Sequence, residues 1–201
     1  MLNVRNLACS RGDRPLFRDL SFSLEPGKVL HVQGPNGSGK TTLLRTLCGL
    51  SQPAGGKIFW NGHPTDEGPA AFRGAFHYLG HANALQGDLT GEENLRYGGC
   101  LAGEPGAVLT GLGLGRVASL PVKLLSQGQK RRTALARFAL WHRPLWILDE
   151  PFSALDVRAS ASLLEQFTKH LQRDGMIILT SHQEVTLSDR PILTLSLEGR
   201  A

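Results

Sequence analysis

Gly34-Pro35-Asn36-Gly37-Ser38-Gly39-Lys40-Thr41 is the stretch on which the fold turns. It matches G-x-x-x-x-G-K-[ST] at every fixed position. It also stands where that pattern has a mechanism, behind the apolar run Val29 to Val32, which reads as a strand, and ahead of a helix expected from about Gly39. The glycines let the loop bend until successive backbone N–H groups point inward at phosphate oxygens, and the helix N-terminus adds its dipole. Lys40 is placed to bridge the β- and γ-phosphates of a nucleotide, the Thr41 hydroxyl to ligate Mg²⁺, and Thr42 to reach the α-phosphate. Taken alone, the loop defines a nucleotide binder and leaves kinases and GTPases open.

Two segments further along complete the constellation. Leu145-Trp146-Ile147-Leu148 is an apolar run ending in Asp149-Glu150, the pattern of a buried parallel strand that delivers two carboxylates to a sheet edge. Asp149 is placed to hold Mg²⁺, through water, and Glu150 to polarise an attacking water. Before this strand, Leu125-Ser126-Gln127-Gly128-Gln129 opens a helix expected over Ser126 to Trp141. Ser126 suits an N-cap, but a capping serine does not need Gly128, and a glycine there lets a phosphate approach the backbone. Ser126, Gly128 and Gln129 therefore read as a second phosphate-facing helix start. One lobe does not easily enclose one nucleotide with both segments, so a head-to-tail dimer sandwiching two ATP molecules is the economical arrangement.

With L-S-x-G-Q joined to the P-loop and the Asp-Glu strand, the chain resembles the ATP-binding cassette (ABC) family over nearly its whole length. The resemblance implies an α/β fold: a P-loop NTPase core with an antiparallel β subdomain and a short helical subdomain, at about 82–140 of a single domain spanning 1–201. It implies that Glu150 is the catalytic base of ATP hydrolysis and that Ser126 and Gly128 act in trans. Ser153-Ala154-Leu155-Asp156 resembles the D-loop, with a helix cap as its plainer role, and His182 in Thr180-Ser181-His182-Gln183 resembles the switch histidine that contacts the γ-phosphate.

Two positions depart from the family pattern. Aligning Asp88-Leu89-Thr90 and Glu93-Asn94-Leu95 with the usual D-L-T…E-N-L segment puts His81 where a glutamine is usual; it can order a water or touch Mg²⁺, or be only a polar turn residue. Arg11, before Gly12, stands in place of the aromatic residue that stacks on adenine; its guanidinium plane can stack on a base, and Phe17 is the alternative platform. The chain ends soon after His182, so no C-terminal regulatory domain is expected. Length and short motifs, including Gly80-His81 and Leu179-Thr180-Ser181-His182-Gln183, resemble the ATP-binding subunits of the cytochrome c maturation haem exporter. That resemblance implies integral membrane partner subunits of the cytochrome c maturation system, docked on the helical lobe, and a peripheral position on the cytoplasmic face of the inner membrane. No haem-binding motif is present or expected.

Composition agrees and excludes little. At 201 residues, with 41% hydrophobic and 19% charged residues, the chain can build one sizeable globular core. Its apolar runs are far shorter than the about 20 residues a membrane-spanning helix needs, and Met1 to Leu7 carries no apolar signal region. Cys9, Cys48 and Cys100 lie far apart and read as reduced thiols. The net charge of +5 selects no partner. Lys130-Arg131-Arg132 reads as a solvated helix face, and no nucleic acid partner is expected. The rival readings are another ABC exporter, a soluble ABC ATPase of translation or DNA repair, and a non-hydrolysing regulatory cassette. The single cassette without an insertion disfavours the soluble ATPase; Glu150 with His182 disfavours the regulatory one.

Overall fold

Two long strands open the chain, β1 (Leu2–Arg11) and β2 (Arg14–Leu24), paired antiparallel. They belong to a computed structural model of the protein that describes residues 1–12, 14–98, 103–187 and 190–197. Near the end of β2 the side chains alternate with a period of two: Leu24 is buried and Phe22 half-buried, while Ser21 and Ser23 are exposed. β3 (Val29–Gln33) leads into the glycine loop and α1 (Lys40–Leu47). β4 (Gly55–Trp60) and β5 (His63–Pro64) follow, joined by Asn61 and Gly62. Both joining residues have positive φ, 50° and 85°, as a two-residue type I′ hairpin requires. The chain continues through α2 (Pro69–Ala75), β6 (Phe76–Leu79), α3 (Gly91–Tyr97), α4 (Pro105–Gly111) and α5 (Gln127–Leu140). It closes with β7 (Leu145–Asp149), α6 (Val157–Gln172), β8 (Met176–Thr180) and β9 (Ile192–Ser196).

The chain divides into two units. The first takes Met1–Tyr78, Arg143–Glu150 and the chain from Thr168 onward. It holds an antiparallel sheet in the order β2-β1-β4-β5 and a second sheet in the order β6-β7-β8-β3-β9. In the second sheet β7, β8, β3 and β9 pair in parallel. Every residue of β7 and β8 is buried, which is why both read as unbroken apolar runs. Leu43, Leu44 and Leu47 of α1 are wholly buried in the same core as Leu30, Val32, Ile147 and Ile178. Truncating one such leucine to alanine costs roughly 2–5 kcal/mol, so the phosphate loop is hung between a buried strand and a helix anchored by its own leucines.

The second unit takes Leu79–His142 and Pro151–Phe167. Its core gathers Leu95, Leu109, Leu114 and Ala136. Thr90 and Glu93 form a capping box at the start of α3, and Ser126 and Gln129 form another at the start of α5. The helix expected over Ser126 to Trp141 is α5 with those two residues as its caps. The glycine- and leucine-rich stretch from Gly87 to Pro121 carries the short helices α3 and α4, and Cys100 within it lies outside the described residues. The edge strand β9 and the helix α2 were not anticipated. Among the described residues no helix is long and apolar enough to cross a membrane.

Candidate nucleotide-binding site

The loop leaves β3 at Gln33 and turns on glycines whose backbones no other residue adopts easily. Gly34 has φ 148° and Gly39 φ 101°. A Cβ on Gly34 would meet the Ser38 Oγ at 2.7 Å, and one on Gly39 would press on the Phe17 ring at 3.2 Å. Gly39 is the N-cap of α1 and supplies no side-chain cap, and the first turn of α1 carries no acidic residue. That helix start is therefore left to an anion. The Lys40 ammonium lies back along the loop, donating to the carbonyls of Gly34 (2.6 Å) and Pro35 (3.2 Å). Ser38 Oγ is buried without a hydrogen-bond partner. An orphaned hydroxyl, a lysine ammonium and an open helix start around glycines with no room for side chains fit the phosphates of a nucleotide.

The end of β7 stands beside this loop. Asp149 is buried, and a buried carboxylate needs partners. The Thr41 hydroxyl donates to its Oδ2 and the Thr180 hydroxyl to its Oδ1, each at 2.8 Å. Thr180 also accepts from the Glu150 N–H at 3.0 Å. Thr180 thus fixes both carboxylate residues. Sequence reasoning passed over it, although its place one strand away in a T-S-H-Q segment was a usable signal. Burial, with the nearby Asp149 charge adding, pushes the Tyr78 phenol up to about 12. A threonine hydroxyl and a carboxylate 2.8 Å apart at the loop suit Mg²⁺, which takes few protein ligands and keeps its waters.

Glu150 holds φ 50°, a left-handed conformation that costs a residue with a Cβ on the order of 1–2 kcal/mol. The turn aims its carboxylate at the segment after β8. The His182 N–H donates to Glu150 Oε2 at 3.3 Å, and His182 Nε2 lies 3.6 Å from Oε1. The His182 side chain is otherwise largely exposed. The first unit therefore brings together Gly34 to Thr42, Asp149, Glu150 and His182.

His81, Ser126, Gly128 and Gln129 belong to the second unit. Ser126 accepts from the Gln129 N–H (3.2 Å) and the Gln129 side chain accepts from the Ser126 N–H (2.8 Å). Gly128 has a reason beyond phosphate approach: a Cβ there would meet the Ala154 carbonyl oxygen at 2.6 Å. Asp156 accepts from the Ala159 N–H (2.8 Å) as a cap of α6, a role compatible with the D-loop resemblance. His81 is exposed, in a loop pinned by buried Arg131, which donates to Gly80 O (2.9 Å) and Asn83 Oδ1 (3.0 Å). Arg131 is 3% exposed, so the expectation of a solvated face at Lys130-Arg131-Arg132 fails there: its guanidinium is spent on loop carbonyls. Arg11 ends β1 as an exposed residue. Phe17 is wholly buried in the core and offers no face to a base, which removes it as an alternative platform.

A parallel sheet with a glycine-rich cradle at the end of β3 and an Asp-Glu pair at the end of β7, with β8 between them, defines a P-loop nucleotide-hydrolysing protein. The ABC transporter family profile matches residues 17–153. A cytochrome c biogenesis ATP-binding export protein CcmA from Nitrosomonas europaea is 48% identical, covering 94% of this chain and 91% of that protein. The Pseudomonas aeruginosa protein of the same name is 46% identical over 93% of this chain and 95% of its own. An ATP-binding subunit of an ABC transporter superposes with a TM-score of 0.82 at 29% identity, covering 90% of this chain and 79% of that one. A bacterial Atm1-family ABC exporter with ATP bound gives 0.84 at 26% identity, covering 98% of this chain and 37% of that one. The chain belongs to the ABC transporter family and, within it, to the cytochrome c biogenesis ATP-binding export proteins.

Proposed function

We propose that this chain is the ATP-binding, ATP-hydrolysing subunit of an exporter that drives the haem-handling step of cytochrome c biogenesis. The observation that carries the hydrolytic part is the joint hold on Asp149 and Glu150 beside the lysine-bearing loop, through Thr41, Thr180 and the His182 N–H. The names of its relatives support the export role.

In this reading the P-loop residues Gly34 to Thr42 grip the phosphates. Lys40 exchanges its loop carbonyls for the β- and γ-phosphate oxygens, Thr42 reaches the α-phosphate, and Arg11 stacks on the base. Thr41 and Asp149 would hold Mg²⁺, which when bound neutralises phosphate charge. Glu150 accepts the proton of the attacking water, while His182 contacts the γ-phosphate and steadies Glu150. Ser126, Gly128 and Gln129 of a second copy cover the γ-phosphate, and His81 serves where the family uses a glutamine. Closing of two copies around ATP and reopening after hydrolysis moves membrane subunits docked on the second unit, at the cytoplasmic face of the inner membrane.

The test is purification of the Glu150→Gln variant from membranes with and without ATP. Co-purification of integral membrane subunits of cytochrome c maturation, increased by ATP, is the expected result. Recovery of ribosomes or nucleic acid instead would replace the reading with that of a soluble ABC ATPase.

A further inference from the structure

His31 lies in the middle of β3 and is 4% exposed. It is a buried titratable side chain that the proposed chemistry does not use. Its Nε2 lies 3.2 Å from the carbonyl oxygen of Ser181. A carbonyl only accepts, so the ring proton of this contact sits on Nε2 and Nδ1 is left as an acceptor. The Gln33 side-chain amide nitrogen lies 3.2 Å from that Nδ1 and donates to it. The ring is thereby held from both sides in one tautomer.

The peptide group it touches is the one between Ser181 and His182. The carbonyl of this group accepts from His31, and its N–H is the donor to Glu150 Oε2 at 3.3 Å. One rigid planar unit therefore receives a hydrogen bond at one end and gives one to the proposed base at the other. Hydrogen bonds in such a chain polarise one another. At the far end stands Glu150 on a strained turn, whose backbone alone does not fix its carboxylate.

We propose that His31 is a positioning residue for ATP hydrolysis: through the Ser181–His182 peptide it fixes the carboxylate of Glu150. This rests on the reading of Glu150 as the base. His31 is buried, and its ring contacts run to the Ser181 carbonyl and the Gln33 amide. The relay starts at Gln33, the residue before the phosphate loop, so it also ties the loop's supporting strand to the switch segment.

Steady-state hydrolysis of Mg·ATP and nucleotide affinity of the full chain test the proposal. His31→Leu removes the donor and keeps the bulk. His31→Asn ends at the level of Nδ1 and falls short of Ser181, whereas His31→Gln places an amide N–H near the level of Nε2. Leu and Asn are expected to lower kcat about 10- to 100-fold, up to the scale of a reacting group displaced by about 1 Å, with ATP affinity unchanged, and Gln to restore most of it. In a Glu150→Gln background His31→Leu is expected to lower turnover no further, because the two act on one step. Should His31→Leu fail to fold, His31→Asn and His31→Gln decide. Wild-type turnover in the Leu or Asn variant, equal losses in Asn and Gln, or full additivity with Glu150→Gln would each overturn the proposal. Undiminished turnover in Glu150→Gln alone would remove the base itself, and this inference with it.

Discussion

The Lys40 ammonium donates its hydrogen bonds to carbonyls of its own loop, and this shapes what its removal does. Lys40→Ala costs the fold two exposed or half-buried hydrogen bonds, a small loss, but takes the lysine cation from the cradle. Nucleotide affinity is expected to fall at least 100-fold with little change in unfolding temperature, read by calorimetric titration beside thermal melts. Glu150→Gln is the complement: ATP still binds, and turnover drops about 10²-fold or more, the range for a general base. Cys48 makes a third point at this scale. Burial pushes its thiol far above the ordinary range, and Cys9 is raised in the same direction with Thr46 partly opposing. Only the thiolate is nucleophilic, so both are expected to resist iodoacetamide at mild alkaline pH until denaturant is added, as mass spectrometry would reveal. At this scale the sequence is legible where chemistry is local. The phosphate loop and the Asp-Glu pair are contiguous motifs, so their residues were named correctly as neighbours. Thr180 and His31 act through contacts made only when β3, β7 and β8 lie side by side; the T-S-H-Q segment marks Thr180, but no spacing announces His31.

Elements reading as buried strands were the surest part of the fold. β7 and β8 are apolar because both faces are covered, and a period-2 pattern marked the exposed face of β2. β9 is harder to read, because Thr194 and Ser196 interrupt its apolar residues and three of its five residues, Leu193 among them, are exposed at the sheet edge. α5 was bounded correctly because its Ser126 cap and the proline after Trp141 are both local signals. Gly128 was recognised for an incomplete reason. The carbonyl of Ala154 occupies the space a Cβ would need, a contact across 26 residues that a one-dimensional reading does not contain. Gly128→Ala is therefore expected to destabilise the isolated chain by about 1–3 kcal/mol, the usual penalty of overpacking, before any partner copy is considered. Urea unfolding of the monomer measures it; an unchanged midpoint would leave phosphate approach as the sole reason for the glycine.

At the level of the whole molecule, the proposed sandwich makes ATP part of the interface between two copies. Ser126→Arg keeps the first unit's grip on nucleotide while placing a long cation at the covering helix start. Analytical ultracentrifugation of the Glu150→Gln chain with Mg·ATP is expected to show a dimer, and the same chain carrying Ser126→Arg a monomer that still binds ATP. Part of that effect will be loss of the helix cap, worth about 0.5–2 kcal/mol of stability, which a melt without nucleotide reports separately. The left-handed backbone at Glu150 has a consequence for how such a chain ages over generations. Asparagine tolerates that conformation better than glutamate does, so Glu150→Asn is expected to melt about 2–4 °C higher while hydrolysing almost nothing. With Glu150 as the proposed base, selection for durability alone would drift toward an inert cassette, and the demand for turnover is what would keep the glutamate where it is.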